Sequence, residues 1–130
     1  MDVAEVVHHW LEAAEEDWKV ARHLLEAGDY PYALYFGHLC LEKLLKALVV
    51  QQTRSHAPYT HNLLRLVEVG GLTLTPEREE VLRRVTAYNL NIRYPTSVGE
   101  LRRRFTKEYV EREWGAIKEI QGWLKSQVTS

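Results

Sequence analysis

Residues 30 to about 52 are apolar or aromatic around most of the helix they would form. Ala33, Leu34, Phe36, Leu39, Cys40, Leu41, Leu44, Leu45, Ala47, Leu48, Val49 and Val50 leave Glu42, Lys43 and Lys46 as the segment's charges. A helix apolar nearly all round has no broad side to give to water and must be covered by several neighbours. The three charges are expected to form a narrow wet strip. The cover is expected to come both from other helices of the chain and from a second subunit.

The rest of the chain supplies such neighbours. From Val3 to Ala27, residues such as Val7, Trp10, Leu11, Ala14, Trp18, Ala21 and Leu25 recur at three-and-four spacing, one stripe of an α-helix. Gly28 suits the left-handed position that stops it, and Asp29 suits the cap of the next helix, with Pro31 in its first turn. Thr60 is expected to cap a short helix through Leu63, Leu64, Leu66 and Val67, ended by Gly70 and Gly71. Thr75 and Pro76 read as a cap followed by proline at the first helical position, opening a helix with Val81, Leu82, Val85 and Tyr88 that runs to about Leu90. A polar connector, Asn91 to Phe105, contains Pro95 and Gly99. Thr106 then caps a last helix with the stripe Val110, Trp114, Ile117, Ile120 and Leu124. Gly115 and Gly122 lie seven apart on that helix, where each costs up to ~1 kcal/mol relative to alanine, so close approach of another helix is expected there. No strand-like alternation of useful length and no repeat appears. The expectation is an all-α chain, one domain over residues 1–130, folded as an antiparallel up-and-down four-helix bundle with an additional short helix.

A composition of 45% hydrophobic and 27% charged residues fits one soluble globule and argues against disorder. With a net charge of −1 there is no global field toward nucleic acid or anionic lipid, so any anion site must be local. The charge is segregated: residues 1–30 carry two basic and eight acidic side chains, residues 78–107 eight basic and three acidic. Arg83, Arg84, Arg93, Arg102, Arg103, Arg104 and Lys107 bracket the connection to the last helix, whose N-terminal N–H groups add a positive dipole end. Two readings follow. A phosphate-bearing ligand binds there, or the arginines form a solvated face that pairs with acids of a partner subunit. The single cysteine, Cys40, excludes an intramolecular disulfide, and no stretch resembles a signal peptide or approaches the ~18 apolar residues of a membrane span. A cytoplasmic, membrane-free protein is expected.

The histidines His8, His9, His23, His38, His56 and His61 raise the question of a metal. A di-iron bundle needs Glu-x-x-His on two helices, and Glu5 with His8 is the one pair at that spacing, so neither metal nor cofactor is expected. His61 follows Thr60 and either braces the start of the short helix or performs acid/base chemistry. Ser55, Ser97, Ser126 and Ser130 occupy no nucleophile-elbow context, and no glycine-rich phosphate loop exists, which argues against common enzyme classes.

Three segments, in this order, resemble the HEPN family of small helical proteins: DWKVARHLLEAGDYPYALYFGHLCLEKLLKALVV, THNLLRLVE and NIRYP. The resemblance spans about residues 8 to 125. LEKLLKAL, preceded by Tyr35, Phe36 and His38, is its strongest piece, and His61 with Leu63 supplies a later His-x-Leu. It implies a four- or five-helix bundle that pairs as a homodimer, and two functional lineages. One comprises ribonucleases of toxin–antitoxin and defence systems, in which an Arg followed after four to six residues by a His faces its copy across the dimer. The other lacks that motif, is encoded with minimal nucleotidyltransferases, and binds nucleotides or substrates.

In this chain the motif's Arg maps to Arg93, followed by Tyr94 rather than Asn or Asp, with Val98, Gly99 and Glu100 where the His would stand. Arg54 and His61 match the spacing in a different connection, by chance. The expected function is therefore binding of a nucleotide or RNA phosphate by Arg93, Tyr94, Arg102, Arg103, Arg104 and Lys107. No catalytic residue is assigned, and the partners are a second copy and a separate nucleotidyltransferase. The alternatives are a metal-independent ribonuclease using His61 or Tyr94 as base, and a purely structural interaction protein.

Overall fold

In the computed structural model, which describes residues 1–128, the chain forms six α-helices and, among these residues, no strand. They are α1 (Val3–Glu26), α2 (Tyr30–Thr53), α3 (Leu63–Gly70), α4 (Pro76–Arg93), α5 (Val98–Arg104) and α6 (Lys107–Gln127). The local signals placed most of the ends. Asp2 caps α1, Gly28 follows it at φ +80°, and the Thr75 and Thr106 hydroxyls accept from Arg78 N and Tyr109 N at the starts of α4 and α6. Asp29 sits at the start of α2 without a side-chain capping bond. The start of α3 differs from expectation: Asn62 caps it, accepting from Leu64 N and Arg65 N, while Thr60 accepts from Asn62 N just before the helix begins.

α2 is the axis of the fold, packed against α1, α3, α4 and α6. Leu34, Leu41, Leu45 and Val50 are fully buried along it, and Ile117, Ile120 and Leu124 of α6 complete the core. Trp18 of α1 stacks on Trp114 of α6 with ring centroids 4.6 Å apart. The chain's own helices thus cover α2. The wet strip predicted on it is largely absent: Lys43 reaches Asp17 of α1 at 2.6 Å, but Glu42 and Lys46 are buried, at 4% and 6% exposure. Two such charges survive burial because they meet each other, Lys46 Nζ lying 3.0 Å from Glu42 Oε2.

Two further expectations are corrected. Close helix approach occurs at Gly37, where an added Cβ would meet Ile117 at 3.4 Å, and at Gly70, where it would meet Val49 at 3.4 Å. At Gly115 and Gly122 a Cβ would meet nothing within 4 Å, so no helix among the described residues compensates those glycines. The connector 91–105 is also not a polar coil. α4 continues to Arg93, and Val98–Arg104 forms α5, a second short helix where one was expected. Ser97 caps it by accepting from Glu100 N at 3.1 Å. Leu101 and Phe105, each 2% exposed, anchor it, and burial of each side chain contributes roughly 1.5–3 kcal/mol.

Candidate functional site

α5 is what gathers the basic residues. With Leu101 and Phe105 turned inward, Arg102, Arg103 and Arg104 are held outward between the end of α4 and the start of α6, and Arg93, Tyr94 and Lys107 are exposed on either side. Phe105 is fixed by edge-on contacts with Tyr88 at 5.7 Å and Tyr109 at 5.8 Å. Tyr94, 67% exposed, lies beside the Arg93 guanidinium, whose carbon is 5.2 Å from the ring centroid.

Some of these cations are already paired. Arg102 lies 3.6 Å from Asp29 and 5.8 Å from the Tyr32 ring, and Arg103 lies 3.0 Å from Glu100. Exposed pairs of this kind are worth at most about 1 kcal/mol and yield readily to a better anion. Arg104 rests on Phe105 at 5.5 Å, and Arg93 donates from Nη1 to Asn89 Oδ1 at 3.4 Å. Among the described residues, Arg93, Arg104 and Lys107 have no carboxylate in ion-pair contact. Arg83 and Arg84 differ, being engaged by Glu79, Glu80 and Glu113.

Beneath this surface lies a cluster that the sequence did not announce. Glu113 of α6 accepts from Arg84 Nε at 2.8 Å and from Arg84 Nη2 at 3.0 Å, and it also accepts from the Tyr88 and Tyr109 hydroxyls. Burial alone would raise the Glu113 pKa. The bonds from Arg84, Tyr88 and Tyr109 outweigh it and hold the carboxyl below its ordinary range. Burial and the bond to Glu113 push the Tyr88 phenol well up, so it stays protonated and donating. The cluster pins α4 to α6 directly behind α5.

His61 belongs elsewhere. Its Nδ1–H donates to Glu42 Oε1 at 2.8 Å, and its carbonyl accepts from His38 Nε2 at 3.1 Å. Burial pushes the His38 pKa down and keeps that imidazole neutral. Lys46, on the other oxygen of Glu42, also sits 5.2 Å from the Trp10 ring and 5.8 Å from that of Tyr59. Leu63 N donates to Thr86 Oγ1 at 3.2 Å, fixing this segment to α4 seven residues short of Arg93, or about 10 Å along the helix. His61 thus braces the α2–α3 junction while keeping Nε2 open on a half-buried ring. The signal for this network was the presence of Glu42 and Lys46 four apart on an otherwise apolar helix. Arg54, the other half of the chance motif, terminates α2 at φ +57°.

Among the described residues no three His, Cys, Asp or Glu side chains gather to hold a metal ion, and no helix is long and apolar enough to cross a membrane.

The fold has known counterparts. TT1696 from Thermus thermophilus superposes with a TM-score of 0.77 at 23% identity, covering 92% of this chain and 96% of that one. ST0689, an archaeal HEPN homologue, superposes with a TM-score of 0.72 at 24% identity over 95% of this chain and 98% of its own. At these identities the likeness is one of fold. No curated protein sequence matches the chain. The HEPN domain profile, however, matches residues 7–127, nearly the whole of the six-helix unit, and the chain belongs to the HEPN domain family.

Proposed function

We propose that this HEPN protein binds the phosphate of a nucleotide or an RNA at the α4–α5–α6 surface, as a homodimer working with a separate nucleotidyltransferase. The observation that carries the reading is that Arg93, Arg104 and Lys107 are exposed on one surface with no carboxylate in contact among the described residues. Cations left uncompensated beside an exposed tyrosine suit a phosphate with an attached base. A labelled RNA oligonucleotide should bind, and Arg93→Ala should weaken it about tenfold with little change in melting temperature. Arg93→Lys should restore part of the affinity, because lysine keeps the charge but not the bidentate fork. If Arg93→Ala instead melts many degrees lower and the parent binds no RNA, Arg93 is a structural residue.

The RNA is expected to come through intact in EDTA. Metal-free cleavage needs a base for the 2′-hydroxyl, help typically worth 10²–10⁴ in rate; Val98 and Gly99 offer none, and Glu100, though ionisable, would set a carboxylate against an already anionic phosphate. One observation keeps cleavage as the second reading: His61 carries a carboxylate, Glu42, at 2.8 Å, which is how a basic imidazole is oriented. Cleavage that both Arg93→Ala and His61→Ala abolish would replace the first reading with the second.

Dimerisation is supported by Leu90, Tyr94 and Val98, exposed at 65%, 67% and 62% from the last turn of α4 to the start of α5. The purified protein should scatter light as about twice 15.2 kDa, and protein isolated separately from its native cell should carry the nucleotidyltransferase, identified by mass spectrometry. A monomer without a bound partner would count against both.

A further inference from the structure

α4 buries Leu82, Val85, Tyr88, Asn89 and Ile92, and the spacing 82, 85, 89, 92 is the repeat of a core-facing stripe. Residue 89 is therefore where an apolar side chain is expected. Asn89 occupies it at 4% exposure, with its amide nitrogen shielded from solvent and without a hydrogen-bond partner. A buried polar group in that condition lowers stability, so its presence asks for a reason outside stability. Its oxygen supplies one, for it accepts from Arg93 Nη1 at 3.4 Å, one turn further along the helix.

The other arginines of α4 show what is unusual here. Arg78 is bonded to Glu119, Arg83 to Glu79, and Arg84 to Glu113, each a carboxylate that neutralises its partner. Among the described residues Arg93 is held instead by a neutral amide oxygen, with the Tyr94 ring centroid 5.2 Å from its guanidinium carbon. A carboxylate at this place would orient the guanidinium and also cancel its charge. An amide orients it and leaves the charge for a ligand.

We infer that Asn89 is a positioning residue, which holds the Arg93 guanidinium ready for an incoming phosphate without neutralising it. This rests on the phosphate-binding reading of the α4–α5–α6 surface.

The test is binding of a fluorescein-labelled single-stranded RNA oligonucleotide by anisotropy across a salt series. It is run beside thermal melting, for the parent, Asn89→Leu, Asn89→Asp and Arg93→Ala. Asn89→Leu should melt at or above the parent temperature yet bind about threefold to tenfold more weakly, since it fills the stripe but releases the fork. Asn89→Asp should weaken binding further and reduce the slope of log affinity against log salt by about one, as Arg93→Ala does, because it takes one cation out of the contact. The slope is the decisive readout, since a residue that merely supports the fold would not move it. If Arg93→Ala loses affinity while both Asn89 variants bind as the parent does, the positioning role is wrong and the site stands. If Asn89→Leu melts many degrees lower and keeps its affinity, Asn89 is structural and the inference fails. A parent that binds no RNA removes the site and the inference together.

Discussion

Glu42→Ala should lower the melting temperature by on the order of 10 °C, because removing one partner of a buried ion pair typically costs about 3–5 kcal/mol. Among the described residues Glu42 is the sole carboxylate in ion-pair contact with Lys46 and His61, and the Lys46 side chain is 8% exposed. Without it an ammonium is left buried among Trp10, Tyr59 and the α2 core, and His61 loses the acceptor that fixes the α2–α3 junction. Replacing both charges with apolar residues, Glu42→Leu with Lys46→Met, should recover most of the loss, since a matched apolar pair leaves no charge to desolvate. Thermal melting by circular dichroism reads both variants. A Glu42→Ala protein melting within a degree or two of the parent would mean that water reaches Lys46 and that the network adds little.

Glu113→Ala should cost about 2–4 kcal/mol, a little less than Glu42→Ala, because Arg84, at 38% side-chain exposure, can turn to water when its acceptor is gone. Tyr88, 3% exposed, cannot, and its hydroxyl would be left with Tyr109 at 3.3 Å. The pH dependence is more specific. A carboxyl whose pKa is lower in the folded chain than in the unfolded one contributes stability that is complete above its unfolded value, near 4.3, and is lost as pH falls through the lowered folded value. Stability should therefore fall steeply below about pH 4, and Glu113→Gln, which cannot titrate, should flatten that limb. His38 contributes a separate and earlier decline. Its folded pKa is below the ordinary 6.5, so the unfolded chain takes up a proton that the native one refuses as pH drops below that value. That part should persist in Glu113→Gln. Urea titrations across pH separate the two, and identical acid limbs in parent and Glu113→Gln would show that Glu113 is not what acid attacks.

The basic surface shows how far a sequence carries. Arg93 stood out through the NIRYP resemblance, and Arg102–Arg104 through their charge. Neither signal told which cations were uncompensated. Arg84 and Arg93 look alike on the chain, nine residues apart on one helix, yet one is held by a carboxylate from α6 and the other by an amide one turn away. α5 was partly legible, since Ser97 and Glu100 have capping spacing, but the arginine run and Pro95 made the stretch read as a connector.

What the sequence determined by itself were features decided within a turn or two of chain. These are the three-and-four stripes of α1, α4 and α6, the nearly all-round apolar character of α2, the hydroxyl caps at Thr75 and Thr106, the stop at Gly28, and the order of segments that marks the family. What only the tertiary structure decided were matters of which surfaces meet. The Glu42 and Lys46 charges lie under neighbouring side chains rather than in water, the described helices approach closely at Gly37 and Gly70 rather than at Gly115 and Gly122, and Glu113 collects donors 25 and 29 residues away. The physical reason is range. Helix periodicity and capping depend on bonds within the chain's own turn, whereas the cost of burying a charge or adding a methyl depends on atoms that another helix brings.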